Sequence, residues 1–190
     1  MDAENTLTQM LQAHRQGDRN ATNNLFALVY DELHEVAHRQ LRYRHPAQTI
    51  NTTALVHEVY LKLIDQVEGT GQDKAHFLAV MARAMRQVLV DYARKTQAEK
   101  RGGKAQHVEL HESVVPDEGL SLDVLDIDTG LARLAEVNPR YSRIVELRFF
   151  GGLSAEEIAE VLDVSSRTVE RDWTKAKAFL YLMLREEKGS

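Results

Sequence analysis

The 190-residue sequence contains no cysteine, only three prolines and a single tryptophan. The absence of cysteine excludes disulfide bridges and thiolate metal sites. No apolar run approaches the roughly 20 residues that a membrane-spanning helix needs, and the N-terminus lacks the basic-then-apolar form of a signal peptide. Helix-period apolar patterns dominate, and no segment alternates apolar and polar residues for long. We therefore expect a soluble, cytoplasmic, all-α protein.

The negative charge of the chain is concentrated in one short stretch. The net charge is −5, yet residues 111–130 alone hold six acidic and no basic side chains. This stretch includes Pro116 and Gly119 and lacks helical periodicity, which is typical of an acidic linker. DNA binding depends on neutralising phosphates, so the near-neutral flanking segments predict weak DNA affinity in the absence of a partner.

Apolar patterns on either side of the acidic stretch predict two helical domains. The first domain, residues 1–101, would hold helices at residues 3–16, 21–44 and 52–66, and a fourth helix that starts near residue 73. A flexible linker would cover residues 102–125. The second domain, residues 126–188, would hold about four short helices, with a break at Asn138-Pro139.

Residues 152–184 predict a helix-turn-helix. Ser154 and Glu157 form a capping-box pattern, and Asp163 stands at the turn, where a left-handed conformation is needed. The second helix has an inward stripe of Val169, Trp173, Ala176 and Leu180. Its opposite face carries the residues that would contact DNA in a major groove: Arg167, Thr168, Arg171, Thr174, Lys175 and Lys177. The alternative interpretation is a helical hairpin with a solvated charged face.

A second basic surface is predicted on the helix that starts near residue 73. Its cations are Arg83, Arg86, Arg94, Lys95, Lys100, Arg101 and Lys104. Five cations but one acid, Glu99, lie between Arg94 and Lys104, which favours contact with phosphates. The alternative is a solvated helix end, where cations interact favourably with the helix dipole.

Residues 34–38, His-Glu-Val-Ala-His, match the H-E-x-x-H pattern of zinc hydrolases. Two histidines four residues apart share one helix face, and the glutamate could act as a general base. A third ligand is missing at a suitable spacing, since His45 falls where the helix is ending and His57 belongs to another helix. We therefore predict no metal site, no cofactor and no catalytic residue, and keep a zinc hydrolase only as an alternative.

Four strings of the sequence resemble the extracytoplasmic-function (ECF) sigma factors of bacterial RNA polymerase. They are ALVHEVYLKL at residues 54–63, MRQVLVDYAR at 85–94, VELRFFGGL at 145–153 and TVERDW at 168–173. The resemblance covers nearly the whole chain and implies a promoter-specificity subunit, not an enzyme. Its partners would be core RNA polymerase and double-stranded promoter DNA. The other interpretation is a stand-alone helix-turn-helix regulator that dimerises on a palindromic operator.

The resemblance also implies where each partner binds. The first domain would read and melt the −10 element through the loop at residues 69–74 and through Phe77, Arg83, Arg86 and Gln87, joined by Arg94 and Lys95 of the basic surface. The helix at residues 52–66 would dock on the clamp helices of the β′ subunit through Leu55, His57, Glu58, Tyr60 and Lys62. The second domain would read the −35 element and contact the β flap. Nothing in the sequence indicates an anti-sigma factor, and no membrane partner is expected.

The start of the docking helix departs from the family pattern. Where the family usually has Asp-Ala-Glu-Asp, this sequence reads Asn51-Thr52-Thr53-Ala54 and carries no charge. Charge-assisted docking on basic clamp residues would therefore be lost. We hypothesise that a Ser/Thr kinase restores it by phosphorylating Thr53, which replaces the glutamate, in preference to Thr52. A phosphate adds about −1.5 to −2 charge and is favoured at a helix N-terminus. Alternatively, Thr53 is an ordinary residue of a helix start.

Overall fold

The structure is a computed structural model that describes residues 51–67, 74–99 and 124–188, together with residues 33–38. In the N-terminal segment it also describes Gln9, Ala13, Ala27, Tyr30 and Asp31. Several predicted features lie outside the described residues. They are the helix at residues 3–16, most of the helix at 21–44, His45, the loop at 69–73, the cations Lys100, Arg101 and Lys104, and nearly all of the linker.

Six helices run through the three long described ranges. They are α1 (Thr52–Val67), α2 (Lys74–Glu99), α3 (Val124–Val137), α4 (Pro139–Gly151), α5 (Ala155–Leu162) and α6 (Ser166–Lys188). Residues 33–38 are helical as well, and no strand occurs among the described residues. The prediction of an all-α fold is confirmed. No helix in the described part of the chain has an apolar stretch long enough to cross a membrane.

The helix boundaries follow from local capping chemistry. Asn51 precedes α1, and its side-chain oxygen accepts a hydrogen bond from the backbone N–H of Ala54 at 2.8 Å. Asn138 caps α4 in the same way by accepting from the N–H of Arg140 at 3.0 Å, and Pro139 occupies the first turn. These side chains satisfy N–H groups that have no partner within the helix. Gly152 ends α4 with φ of 68°, a left-handed conformation that glycine adopts without strain.

The two sides of the acidic stretch pack against one another. We call residues 33–99 the N-terminal part and residues 124–188 the C-terminal part. Helix α2 contacts α1 within the N-terminal part and also contacts α3, α4 and α5 of the C-terminal part. The buried apolar side chains of both parts form one cluster, which α2 crosses. Helix α2 therefore supplies core residues to both parts.

One glycine permits close approach between the two parts. Gly151, the last residue of α4, is buried. A Cβ atom placed on Gly151 would lie 2.9 Å from the Cβ of Ala82 on α2 and 2.5 Å from a methyl group of Leu153. Carbon atoms pack at about 3.5–4.0 Å, so this contact has no room for a larger side chain.

Candidate nucleic-acid interface

Helices α5 and α6 are joined by a three-residue turn whose geometry agrees with the sequence prediction. Ser154 Oγ accepts a hydrogen bond from the N–H of Glu157 at 3.2 Å, and the Glu157 carboxylate accepts from the N–H of Ser154 at 2.9 Å. Asp163 has φ of 51°, so the predicted left-handed residue is confirmed. At the start of α6, Ser165 Oγ accepts from the N–H of Thr168 at 3.2 Å.

The inward face of α6 packs as the spacing predicted. Val169, Trp173, Ala176 and Leu180 are all buried. The indole ring of Trp173 also lies near two cations: the guanidinium carbon of Arg148 is 4.9 Å from the ring centroid, and Lys177 Nζ is 5.3 Å from it. These distances are within the range of cation–π attraction. Lys177 is accordingly half-buried against the ring.

The outward face of α6 presents four of the six residues that the sequence assigned to DNA. Arg167, Arg171, Thr174 and Lys175 are exposed. Thr168 is half-buried, and its hydroxyl lies 2.9 Å from that of Ser165 in the helix cap. The exposed surface is therefore smaller than predicted, but it keeps three of the four cations of that set.

A buried carboxylate fixes the position of α6. Asp172 is 1% exposed, and it accepts hydrogen bonds from Nε of Arg140 on α4 at 2.8 Å and Nε of Arg171 at 3.1 Å. Burial by itself would raise the pKa of Asp172, but the hydrogen bonds from Arg171 and Arg140 and the charges of both arginines outweigh it and lower the pKa below its usual value. Asp172 is therefore ionised and ties α6 to α4 beside the exposed cations.

Two arginines of the predicted −10 surface contact the C-terminal part. Arg86 of α2 donates from Nε to Asp128 at 2.9 Å and from a terminal nitrogen to Glu146 at 3.0 Å. Arg94 donates to the other oxygen of Asp128 at 3.2 Å. Burial would lower the pKa of Arg86, but its hydrogen bonds to Asp128 and Glu146 outweigh this effect and raise the pKa. Arg86 is thus partnered by carboxylates from α3 and α4, and Arg94 by the carboxylate from α3.

The remaining predicted −10 residues differ in how far they are exposed to solvent. Arg83 and Lys95 are exposed on α2, and Gln87 is half-buried. Phe77 is 2% exposed, and its assignment to the −10 surface stays a prediction. Its ring lies on the apolar stripe of α2, four residues before Met81, so it belongs to the core in this arrangement.

The predicted docking face of α1 is partly exposed. His57 and Glu58 are exposed, whereas Leu55 is 0% exposed, and its assignment to the docking face stays a prediction. Leu55 lies on the inward stripe, where it packs with the core. Leu61 is 59% exposed and was missed by the sequence reasoning. Leu61 lies four residues after His57 on the same helix face, and this spacing could have identified it from the sequence.

Tyr60 and Lys62, the other two residues assigned to the docking face, are partly buried. Burial raises the pKa of Tyr60 above its usual value. Lys62 donates from Nζ to Asp91 of α2 at 2.9 Å. Lys62 therefore links α1 to α2 in addition to any contact with a partner.

The first turn of α1 has no acidic residue. Thr53 is exposed at the second helical position, whereas Thr52 is half-buried at the first. The cap at this end is the neutral side chain of Asn51. A helix N-terminus carries partial positive charge, so this turn is suited to an added anion.

The H-E-x-x-H residues lie on one helical segment. His38 and Glu35 are exposed, and His34 is half-buried with its ring centroid 5.8 Å from that of Tyr30. Within the described residues, no three histidine, aspartate or glutamate side chains come together in a way that could hold a metal ion.

The fold and the surfaces above define a class: an all-α protein whose last two helices are joined by a tight turn and carry an exposed cationic face. The chain belongs to the ECF sigma factor family, whose pattern it matches over residues 4–186. The predicted resemblance is thereby confirmed, and the chain is a sigma factor that functions in transcription initiation with RNA polymerase and DNA.

A solved structure similar to this chain is that of CnrH in complex with the cytosolic domain of CnrY. The sequences are 17% identical, the similarity covers 97% of this chain and 99% of CnrH, and the TM-score is 0.44. No curated protein matches the sequence significantly.

Proposed function

We propose that the protein docks on core RNA polymerase through α1, reads promoters through α2 and α6, and is activated by phosphorylation of Thr53. The observation that carries this proposal is the uncharged first turn of α1, at the end of a helix that exposes His57, Glu58 and Leu61. A docking helix that lacks the family's acidic residues needs another source of negative charge.

The exposed face of α1 supports docking on the β′ clamp helices. Leu61 offers an apolar contact, and His57 and Glu58 surround it with polar groups. Interfaces of this kind combine a small apolar centre with a polar rim. The C-terminal part would contact the β flap, as the resemblance implies.

The cationic face of α6 supports recognition of the −35 element. Arg167 and Arg171 are exposed near the N-terminal end of α6, and Thr174 and Lys175 follow one turn later. A recognition helix contacts base edges with its N-terminal residues, whereas later cations reach phosphates. We assign base contacts to the two arginines and a phosphate contact to Lys175.

Thr53 has the position that a phosphate switch requires. It is exposed, so a kinase can reach it, and it lies in the first helical turn, where an anion interacts favourably with the helix dipole. His57 is four residues further along the same helix and therefore shares this face. Thr52 is half-buried, which makes it the poorer substrate.

The test compares wild type, Thr53→Ala, Thr53→Glu and a chain that carries phosphothreonine at residue 53, incorporated during translation. We expect the phosphothreonine chain to bind core polymerase about 10-fold to 100-fold more tightly than wild type, since hydrogen bonds to charged groups contribute roughly 1.5–3 kcal/mol. Thr53→Glu should show a smaller gain, because glutamate has less charge. Promoter-dependent transcription should rise in the same order.

Thr52→Glu is the matched control, because it adds the same charge one position earlier. It should leave affinity for core polymerase close to that of wild type. Wild-type affinity and transcription equal to those of the phosphothreonine chain would contradict the switch. Unaided, dimeric binding to a palindromic operator, with no retention of core polymerase, would instead favour a stand-alone regulator.

A further inference from the structure

One carboxylate lies among the exposed cations of α6. Glu170 is exposed; it follows Arg167 by three residues and precedes Thr174 by four. Residues at these spacings share one face of a helix, so Glu170 belongs to the face that we propose to contact the −35 element. DNA phosphates repel an anion on such a face, and the base and phosphate contacts assigned above give Glu170 no part in recognition.

An arginine from another helix neutralises this carboxylate. Arg148 of α4 donates a hydrogen bond from a terminal nitrogen to Oε1 of Glu170 at 2.9 Å. The side chain of Glu170 nevertheless remains 52% exposed. An ion pair with that exposure contributes little to stability. Its main consequences are therefore that it cancels the negative charge of Glu170 and fixes the position of the carboxylate.

Arg148 is itself held in place by an aromatic ring. Its guanidinium carbon lies 4.9 Å from the centroid of the indole ring of Trp173, which is buried beneath α6. A guanidinium stacked on a buried ring is attracted to it and has few alternative positions. Trp173 and Arg148 thus present the Glu170 carboxylate in a defined place at the surface. Since Oε1 accepts from Arg148, Oε2 is the oxygen that can accept from a group outside the protein.

The bases differ in whether their major-groove edges can donate to a carboxylate. Cytosine presents its N4 amino group as a donor, whereas guanine presents two acceptors and thymine presents one acceptor and a methyl group. Adenine presents an N6 donor next to an N7 acceptor, so a carboxylate satisfies only the first of these groups. A carboxylate in the groove therefore favours cytosine, accepts adenine less well and rejects guanine and thymine.

We infer that Glu170 reads a cytosine of the −35 element by accepting a hydrogen bond from its N4 amino group, and that Arg148 is the positioning residue for this contact. This inference rests on the proposed function, because that function places α6 in the major groove. Arg167 and Arg171 flank Glu170 on the helix, so the cytosine lies among the bases that these two arginines contact. Arg148 allows the carboxylate to approach DNA because it compensates the charge.

The test determines base preferences by selection from a random library of duplex DNA. The full chain is used alone and in complex with core RNA polymerase, and the bound duplexes are sequenced. The variants are Glu170→Gln, Glu170→Ala and Arg148→Met. The matched control is Glu136→Gln, which removes one negative charge at an exposed position of α3, outside the helix-turn-helix.

Wild type should select a C·G pair at one position of its site and bind that duplex about 10-fold more tightly than one with thymine in place of the cytosine. Glutamine both donates and accepts, so it matches N6 and N7 of adenine. Glu170→Gln should therefore replace cytosine by adenine on the same strand, at that position alone. Glu170→Ala should have no preference there, and Glu136→Gln should keep every preference of wild type.

Arg148→Met keeps an unbranched apolar side chain beside Trp173 and removes the charge. We expect a weaker cytosine preference and lower affinity for all duplexes, because Glu170 then brings an uncompensated negative charge into the groove. The double variant Arg148→Met/Glu170→Gln should regain affinity, since that repulsion is absent. A merely structural arginine would give no such recovery.

Identical base preferences for wild type and Glu170→Gln overturn the inference, as does a wild-type preference for an A·T pair at the position that the substitution changes. Arg148→Met with wild-type preferences and affinity overturns the positioning role. A selected site that depends on Arg167 and Arg171 but not on Glu170 contradicts this inference and leaves the proposed function standing.

Failure of the proposed function has a different signature. Arg167→Ala and Arg171→Ala would then leave the selected sites unchanged, and core polymerase would not be retained. Absence of any selected site, for the chain alone and in complex with core polymerase, overturns both proposals.

Discussion

Asp172 shows how a single buried charge can organise a helix that presents its other side to solvent. Its carboxylate is almost fully enclosed and accepts from Arg140 and Arg171. Arg171 is itself one of the exposed cations that we propose to contact DNA, so the same ion pair that anchors α6 also restrains a residue of the proposed recognition surface. An arginine held in one conformation loses less entropy when it binds.

Replacing Asp172 by alanine should lower the free energy of unfolding by about 2 kcal/mol, because hydrogen bonds to a buried charge are lost. The folded-state pKa of Asp172 is lowered, so its stabilisation is present above the unfolded pKa of about 3.9 and is lost as pH falls through the folded value. Urea denaturation at pH 7 and at pH 3 measures both effects.

Asp91→Ala is the control for this prediction, because Asp91 pairs with Lys62 at the surface. It should change stability by less than about 0.5 kcal/mol. Equal losses for the two variants, or an Asp172→Ala chain whose stability depends on pH below 4 as steeply as that of wild type, would contradict the role assigned to the buried carboxylate.

Helix α5 has eight residues and depends on its ends more than a longer helix would. The capping box satisfies N–H groups at one end, and Asp163 closes the other end with a backbone N–H donated to the carbonyls of Ala159 and Glu160. Short helices gain little from their own hydrogen bonds, so caps and packing decide whether they form.

Ser154→Ala should therefore destabilise the chain by about 1 kcal/mol, since the Oγ that accepts from the N–H of Glu157 is lost, although the backbone N–H of residue 154 can still donate to the Glu157 carboxylate. Thermal denaturation followed by circular dichroism measures the change. Ser166→Ala, at the first position of α6 next to the capping residue Ser165, should stay within about 0.5 kcal/mol of wild type. A larger loss at Ser166 than at Ser154 would show that the cap has been assigned to the wrong helix.

The local features of these elements were predictable because they depend on residues close in sequence. Ser154 and Glu157 are three residues apart, and the need for a left-handed residue at Asp163 follows from the turn itself. The burial of Leu55 and Phe77 was not anticipated when they were assigned to binding surfaces, because resemblance to a family motif indicates the position of a residue but not its burial. Both residues lie on the apolar stripes of their helices and are buried in the core.

At the scale of the whole molecule, the contact between the two parts could not be predicted from the sequence. Arg86 is 42 residues from Asp128 and 60 from Glu146, and no local pattern marks them as partners. The sequence identified Arg86 and Arg94 as a basic surface and Asp128 as the edge of an acidic stretch. These opposite charges meet because α2 packs against α3 and α4, which are separated from it in sequence by the acidic stretch.

Gly151→Ala should open this contact, because the new Cβ would overlap the Cβ of Ala82, which cannot move without its helix. We expect the distance between spin labels at Gln97→Cys and Ala135→Cys, exposed positions on α2 and α3 in a chain without native cysteine, to lengthen relative to that of the labelled wild-type chain. Gly130→Ala is the control. Its Cβ would meet a methyl group of Leu180 within the C-terminal part, so it should lower stability without lengthening the distance. Lengthening by both variants, or by neither, would contradict this account.

The enclosed indole of Trp173 has an optical consequence. It is the chain's single tryptophan, so all tryptophan emission comes from the interior of the C-terminal part, beside Arg148 and Lys177. Movement of the two parts as intact bodies leaves those neighbours in place, whereas unfolding of α4 and α6 exposes the ring to water. The fluorescence of Trp173 therefore distinguishes two events in the wild-type protein. Separation of the two parts leaves the emission unchanged, whereas unfolding of the C-terminal part shifts the emission to the red.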